Sequence, residues 1–169
     1  MADKRLYELA VKVGAALKAR SLVLATAESC TGGWIGEALT AVPGSSDWYE
    51  RGFITYTNVA KREMLGVPAD TLEKFGAVSL ETVKAMVTGA LAHSHAQVAV
   101  AVSGVAGPTG GTPAKPVGTV CIAWGLRTGA PLAVSVLFAG DREAVRMQSV
   151  ERALAGVLTL VTREVALKS

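Results

Sequence analysis

Ala27-Glu28-Ser29-Cys30-Thr31-Gly32-Gly33 is a turn of small residues between two ordered segments, and the reading of the chain starts from it. Leu22-Val23-Leu24-Ala25 precedes it as a short apolar run of strand composition, and a helical-looking segment from Trp34 to Thr40 follows. Strand, tight turn and helix in that order hold a small nucleophile above the carboxyl edge of a sheet. The N–H groups at the helix start then face whatever it attacks. Gly32 and Gly33 permit positive φ, or close backbone approach, where a side chain would clash. Ser29 has a plainer alternative role as the N-cap of the following helix. Cys30 is its rival as nucleophile, or else a small buried hydrophobe.

Working outward, Leu6, Leu9, Val13, Ala16 and Leu17 form a 3.6-residue stripe over residues 4–20, which predicts an amphipathic helix. The first buried strand is expected over Leu22–Ala27. Pro43-Gly44-Ser45-Ser46 reads as a turn and residues 50–57 as a strand. Asn58 opens a short helix that carries Lys61 and Met64 and stops at Gly66. Asp70, with Glu73 three positions on, predicts a capping box, and Ser79 caps a helix to about His93. Gln97 to Val102 is a continuous apolar run suited to a strand buried on both faces. Residues 103–118 form a loop rich in glycine and proline, and a loop of that length in a compact domain is functional or mobile. Thr119–Gly125 and Pro131–Phe138 predict a hairpin. Asp141 caps a last helix to about Leu167, with Val150, Leu154, Val157, Leu158, Val161 and Val165 on its inner face. This alternation predicts one domain over 1–169: an α/β fold of three layers, α/β/α, around a mixed, mainly parallel sheet.

Composition narrows the function classes. Half the residues are apolar and 5% aromatic, so the core is built from Ala, Val and Leu. The charged fraction of 18% and net charge of +3 argue against disorder. No dense Lys/Arg stripe marks a nucleic-acid reader. No apolar stretch reaches the ~18 residues of a membrane span. Two cysteines, Cys30 and Cys121, with no signal-peptide pattern at the start, predict free thiols in a soluble, cytoplasmic protein.

The sequence lacks G-x-G-x-x-G, a Walker A motif, G-x-S-x-G and S-x-x-K. Both histidines sit in the His93-Ser94-His95 pair, away from either cysteine, so neither a metal site nor a Ser-His-Asp triad is expected. A hydroxyl nucleophile then needs another base. Tyr56, at the end of a predicted strand, and Lys61, five positions later on a short helix, share one cleft; alternatively, Tyr56 packs in the core and Lys61 is solvated. Glycines of the 103–111 loop offer N–H groups to an anion. Arg142 and Arg146, one helical turn apart, make either a cationic clamp or a solvated face, the latter the expectation for Arg146.

AESCTGG at 27–33, RGFITYTN at 51–58 with Lys61 following, GAVS at 76–79, SGVAGPTGG at 103–111, PVGTV at 116–120 and GDRE at 140–143 together resemble the nicotinamide-nucleotide amidohydrolases, also known as the C-terminal domain of competence/damage-inducible CinA proteins. The resemblance runs from the first helix to the last. It implies hydrolysis of nicotinamide mononucleotide to nicotinate mononucleotide and ammonia in pyridine-nucleotide salvage, with no cofactor or metal. It implies Ser29 as nucleophile, Tyr56 and Lys61 as its activating partners, and the main chain around Cys30, Thr31, Gly32 and Gly33 as oxyanion site. Ser103 stands where the family often has threonine; with Gly104, Gly107 and Arg142 it is assigned to substrate binding. Larger members carry an N-terminal pyrophosphatase domain, so that activity is expected to be absent here. A homodimer is the expected assembly. The alternatives are a catalytically silent module that binds pyridine nucleotides or docks a competence or recombination partner, and a Ser-Tyr-Lys oxidoreductase. The oxidoreductase reading is weakened by the Tyr56–Lys61 spacing and the missing glycine fingerprint.

Overall fold

The computed structural model describes residues 3–166, and side chains through residue 163. The chain runs α1 (Lys4–Ala19), β1 (Leu24–Glu28), α2 (Trp34–Thr40), a 3-10 turn (Ser45–Asp47), β2 (Tyr49–Ile54), α3 (Asn58–Leu65), α4 (Ala69–Phe75), α5 (Leu80–Ala92), β3 (Val98–Gly104), β4 (Thr119–Leu126), β5 (Leu132–Leu137) and α6 (Arg142–Ala166). The five strands form one sheet in the order β2-β1-β3-β4-β5. β1 pairs parallel with β2 and β3, whereas β3–β4 and β4–β5 are antiparallel. The sheet is mixed, half its pairings of each kind, because the chain enters β4 from a loop and not from a crossover helix.

β3 shows how the two faces are assigned. Val98, Val100 and Val102 point to the layer of α1, α2 and α6, where they meet Leu17, Ile35, Leu154 and Val157. Ala99 and Ala101 point the other way, onto Val83, Met86, Val87 and Ala90 of α5. Small side chains on that face let α5 lie close to the sheet. The connection from β1 leaves to one side, and the one from β2 returns to β3 on the other. The carboxyl end of β1 is therefore a switch point, where an open α/β sheet leaves a crevice.

Several local expectations are corrected. β1 begins at Leu24 and reaches Glu28, so Leu22 and Val23 precede it. Pro68, not Asp70, occupies the N-cap of α4, without a side-chain cap. Its fixed φ and free carbonyl, which accepts from the N–H groups of Thr71 and Leu72, start the helix two residues early. Ser79 and Asp141 do cap their helices, accepting from the N–H groups of Thr82 and Ala144. Val165, as an inner-face side chain, and Leu167 fall outside the described residues.

Candidate active site

The parallel ladder runs one step beyond β1. Ser29 N–H donates to the Val102 carbonyl (3.0 Å), and Thr55 N–H donates to the Glu28 carbonyl (2.8 Å). In that step Ser29 lies between Thr55 and Ser103. Side chains alternate, so with Glu28 turned to α2, Ser29 turns to α3. Glu28 is fully engaged there: its carboxylate accepts from Thr31 Oγ1 (2.7 Å), Ile35 N–H (2.8 Å) and Gly36 N–H (3.1 Å). It takes up the free donors of the first turn of α2. Ser29 is not the cap of that helix. Gly33 holds the N-cap position at φ 104°, following Gly32 at φ 60°, a left-handed pair that other residues adopt only with strain.

Lys61 is brought to Ser29 by α3, whose start is capped by the Thr57 hydroxyl. Its side chain is 1% exposed. Nζ donates to Ser29 Oγ at 2.9 Å, to the Thr55 carbonyl at 2.9 Å and to the Tyr56 carbonyl at 3.3 Å. Desolvation by burial lowers its pKa from 10.5 to about 8. A neutral amine has two N–H groups and one lone pair. With the two carbonyls holding the N–H groups, the lone pair falls to the Ser29 hydroxyl. Burial pushes the rival thiol of Cys30 up to about 11, which keeps it protonated and unreactive at neutral pH.

Tyr56 and Lys61 reverse the plainer expectation for both. Lys61 is inside, and Tyr56 is 55% exposed. The phenol is also not where an activating partner of Ser29 would be. Its hydroxyl accepts from Arg142 Nη2 at 3.0 Å, and it is the Tyr56 carbonyl that contacts Ser29 Oγ (3.3 Å) and Lys61. The side chain turns outward as the chain leaves β2. Arg142 also donates to the Gly107 carbonyl at 2.8 Å, so this part of the glycine-rich loop presents an acceptor to a cation instead of N–H groups to an anion. Gly32 N–H is spent on the Ser29 carbonyl, while those of Cys30, Thr31 and Gly33 donate to no other main-chain group among the described residues. Ser103 is buried beside Ser29, and Gly104 closes β3 against Val120.

Arg146 is not a solvated side chain. It donates to the carbonyls of Cys30 (3.0 Å) and Thr31 (3.2 Å), and its guanidinium lies 5.4 Å from the centroid of the Trp34 ring. It braces the nucleophile turn from α6. The roles of Glu28, Thr55 and Arg146 were missed; only Arg146 left a signal, its spacing from Arg142. Both arginines line a cleft of ≈ 640 Å³ with Thr31–Trp34, Glu37, Asp141 and Glu143. Among the described residues no cluster of His, Cys, Asp and Glu is placed to hold a metal ion, and no helix is long and apolar enough to cross a membrane.

Fold and site define an α/β protein with a buried serine–lysine pair at the carboxyl edge of its sheet. Residues 6–161 match the CinA C-terminal domain, and the chain belongs to that family. The nicotinamide-nucleotide amidohydrolase PncC of Enterobacter agglomerans is 53% identical over 88% of this chain and 91% of its own length. The protein of that name from Pseudomonas putida is 55% identical, over 91% of this chain and 96% of its own. A crystal structure of a CinA superfamily protein from Klebsiella pneumoniae 700603 superposes with a TM-score of 0.90 at 42% identity, covering 94% of this chain and 98% of the other.

Proposed function

We propose that this chain is a nicotinamide-nucleotide amidohydrolase that converts nicotinamide mononucleotide and water to nicotinate mononucleotide and ammonia. Relatives near half identity carry that name. The observation that carries the mechanism is the 2.9 Å contact between the buried side chains of Lys61 and Ser29, Nζ to Oγ. Neutral Lys61 takes the Ser29 proton as Oγ attacks the carboxamide carbon. The carbonyl π pair moves to oxygen, and the oxyanion is held by the free N–H groups of Cys30, Thr31 and Gly33. One such donor is worth roughly 10²–10³ in rate. Lys61 then delivers its proton to the nitrogen as the C–N bond breaks, releasing ammonia. Water cleaves the acyl-enzyme with the same amine as base. In this reading the base is Lys61 alone, and Tyr56 holds Arg142 at the mouth, where the guanidinium meets the substrate phosphate.

The free thiols of Cys30 and Cys121 suit a reducing cytoplasm, where this reading puts the protein in pyridine-nucleotide salvage. The homodimer is carried as part of the proposal, supported by the exposed Leu132 and Leu137 on the edge strand β5. Sedimentation velocity reads it directly, and a monomer at assay concentration removes it.

Ammonia release from nicotinamide mononucleotide is the test. Wild type is expected to turn over, and Ser29→Ala to lose at least about 10³-fold in kcat while melting at the wild-type temperature. A folded Ser29→Ala variant with most of its activity overturns the assignment.

A further inference from the structure

Thr55 follows β2 with 0% exposure, and its polar groups have different fates. Its N–H donates to the Glu28 carbonyl at 2.8 Å, and its carbonyl accepts from Lys61 Nζ at 2.9 Å. Its hydroxyl Oγ1 is buried with no hydrogen-bond partner among the described residues. Register fixes the side it faces. Glu28 pairs with Ile54, whose side chain lies against Gly33 on the α2 side. The next residue on each chain, Ser29 and Thr55, therefore turns toward α3. A buried, unpartnered hydroxyl is destabilising, whereas valine would fill nearly the same space without that cost. A partner for Oγ1 is to be sought in another state of the site.

Lys61 is the group that changes state. As a neutral amine it satisfies two carbonyls and faces Ser29. Once it takes the Ser29 proton it has a third N–H, while Oγ has become bonded to carbon. That N–H needs an acceptor until the proton passes to the departing nitrogen. Oγ1 belongs to the residue whose carbonyl already holds the amine, and by register it turns to the same side of the sheet as Ser29.

We infer that Thr55 Oγ1 accepts a hydrogen bond from Lys61 in its ammonium form when Ser29 Oγ no longer takes the third N–H, and that Thr55 is a positioning residue for the proton transfers at Ser29. The catalytic consequence rests on the amidohydrolase reading; the effect on Lys61 does not. The proton balance is closed: Ser29 loses it, Lys61 carries it, and ammonia leaves with it.

The surroundings leave few other charges to act on Nζ. α5 presents Val83, Met86, Val87 and Ala90 to α3, and β2 presents Phe53. The β1–α2 turn contributes the Cys30 thiol, held neutral by burial. Glu28 is occupied on the opposite face of the sheet, and the Tyr56 phenol is turned out onto Arg142.

The experiment is an NMR titration of the Lys61 side chain in the full-length Ser29→Ala protein, where Oγ no longer takes the third N–H, comparing Thr55 with Thr55→Val and Thr55→Ser, together with kcat of wild type and the same Thr55 variants with Ser29 kept. Loss of one charge-assisted hydrogen bond lowers the Lys61 midpoint by about one pH unit or more in Thr55→Val. The serine variant restores it. With Ser29 kept, the kcat plateau falls in Thr55→Val and recovers in Thr55→Ser, while the melting temperature does not drop. Where the valine variant does not fold, Thr55→Ala is read in the same way. An unmoved midpoint in a folded variant overturns the inference, as does a serine variant that behaves like valine. A shifted midpoint with no ammonia release by any form, wild type included, sinks the amidohydrolase reading instead and leaves the Thr55–Lys61 contact standing.

Discussion

At the scale of the residue, the site depends on which of two neighbours is reactive. Ser29 and Cys30 share a turn, and thiols are intrinsically better nucleophiles, but burial holds the Cys30 thiol up at about 11. Only Ser29 Oγ faces an amine whose pKa has come down to about 8. In the proposed mechanism Lys61 works when neutral, so kcat should rise with pH through about 8 as it loses its proton. Cys30→Ala should keep turnover within a few-fold. Lys61→Met should lose nearly as much as Ser29→Ala, because no second base contacts Oγ. A pH–rate profile flat from neutral to alkaline pH would show that another group supplies the base. Sequence made Ser29 and Lys61 candidates through their types and spacing. It did not say which atom of Tyr56 turns inward: the carbonyl contacts Ser29 Oγ, and the phenol meets Arg142.

At the scale of the element, α3 is the arm that holds Lys61, the proposed base, and α5 sets its position. Gly89 of α5 runs directly under the end of α3: a Cβ there would come within 1.9 Å of the Leu65 carbonyl oxygen. Backbone cannot yield as a flexible side chain does, so Gly89→Ala must push α3, and Lys61 with it, away from Ser29. The expected cost is about 1–3 kcal/mol in stability, together with a fall in kcat larger than any change in KM. Chemical denaturation and steady-state kinetics on the same preparation check this. Lower stability with kcat intact would mean that the base does not depend on this packing. Gly89 could not be singled out beforehand, since a glycine inside a helix reads only as a weak helix former. The caps at Ser79 and Asp141 were legible because capping is a local interaction over three residues. The start of α4 was misplaced for a related reason: Pro68 competes with Asp70 within the same few residues.

At the scale of the whole molecule, the buried lysine ties stability to pH. Below about 8 it is charged in both folded and unfolded chains, and the folded state bears the desolvation cost. Between about 8 and 10.5 the unfolded chain binds a proton that the folded one does not, so stability should rise with pH over that window. The full effect is of order 3 kcal/mol. Denaturant midpoints across that window should climb in wild type relative to Lys61→Met, which lacks the titrating group. Parallel curves for the two would show that Lys61 titrates normally in the folded protein.

The sequence by itself determined the layered α/β class, the hairpin at its end, the residues of the nucleophile turn and the family resemblance. These follow from hydrophobic period, turn chemistry and short motifs, all of which act over a few residues. Only the tertiary structure decided that the lysine is buried, that two carbonyls aim its lone pair, that Glu28 takes up the donors of α2 and that Arg146 braces the turn. Those properties arise where β1, β2, β3, α3 and α6 converge from distant parts of the chain, and desolvation and contact geometry at such a meeting point are not encoded in any local stretch.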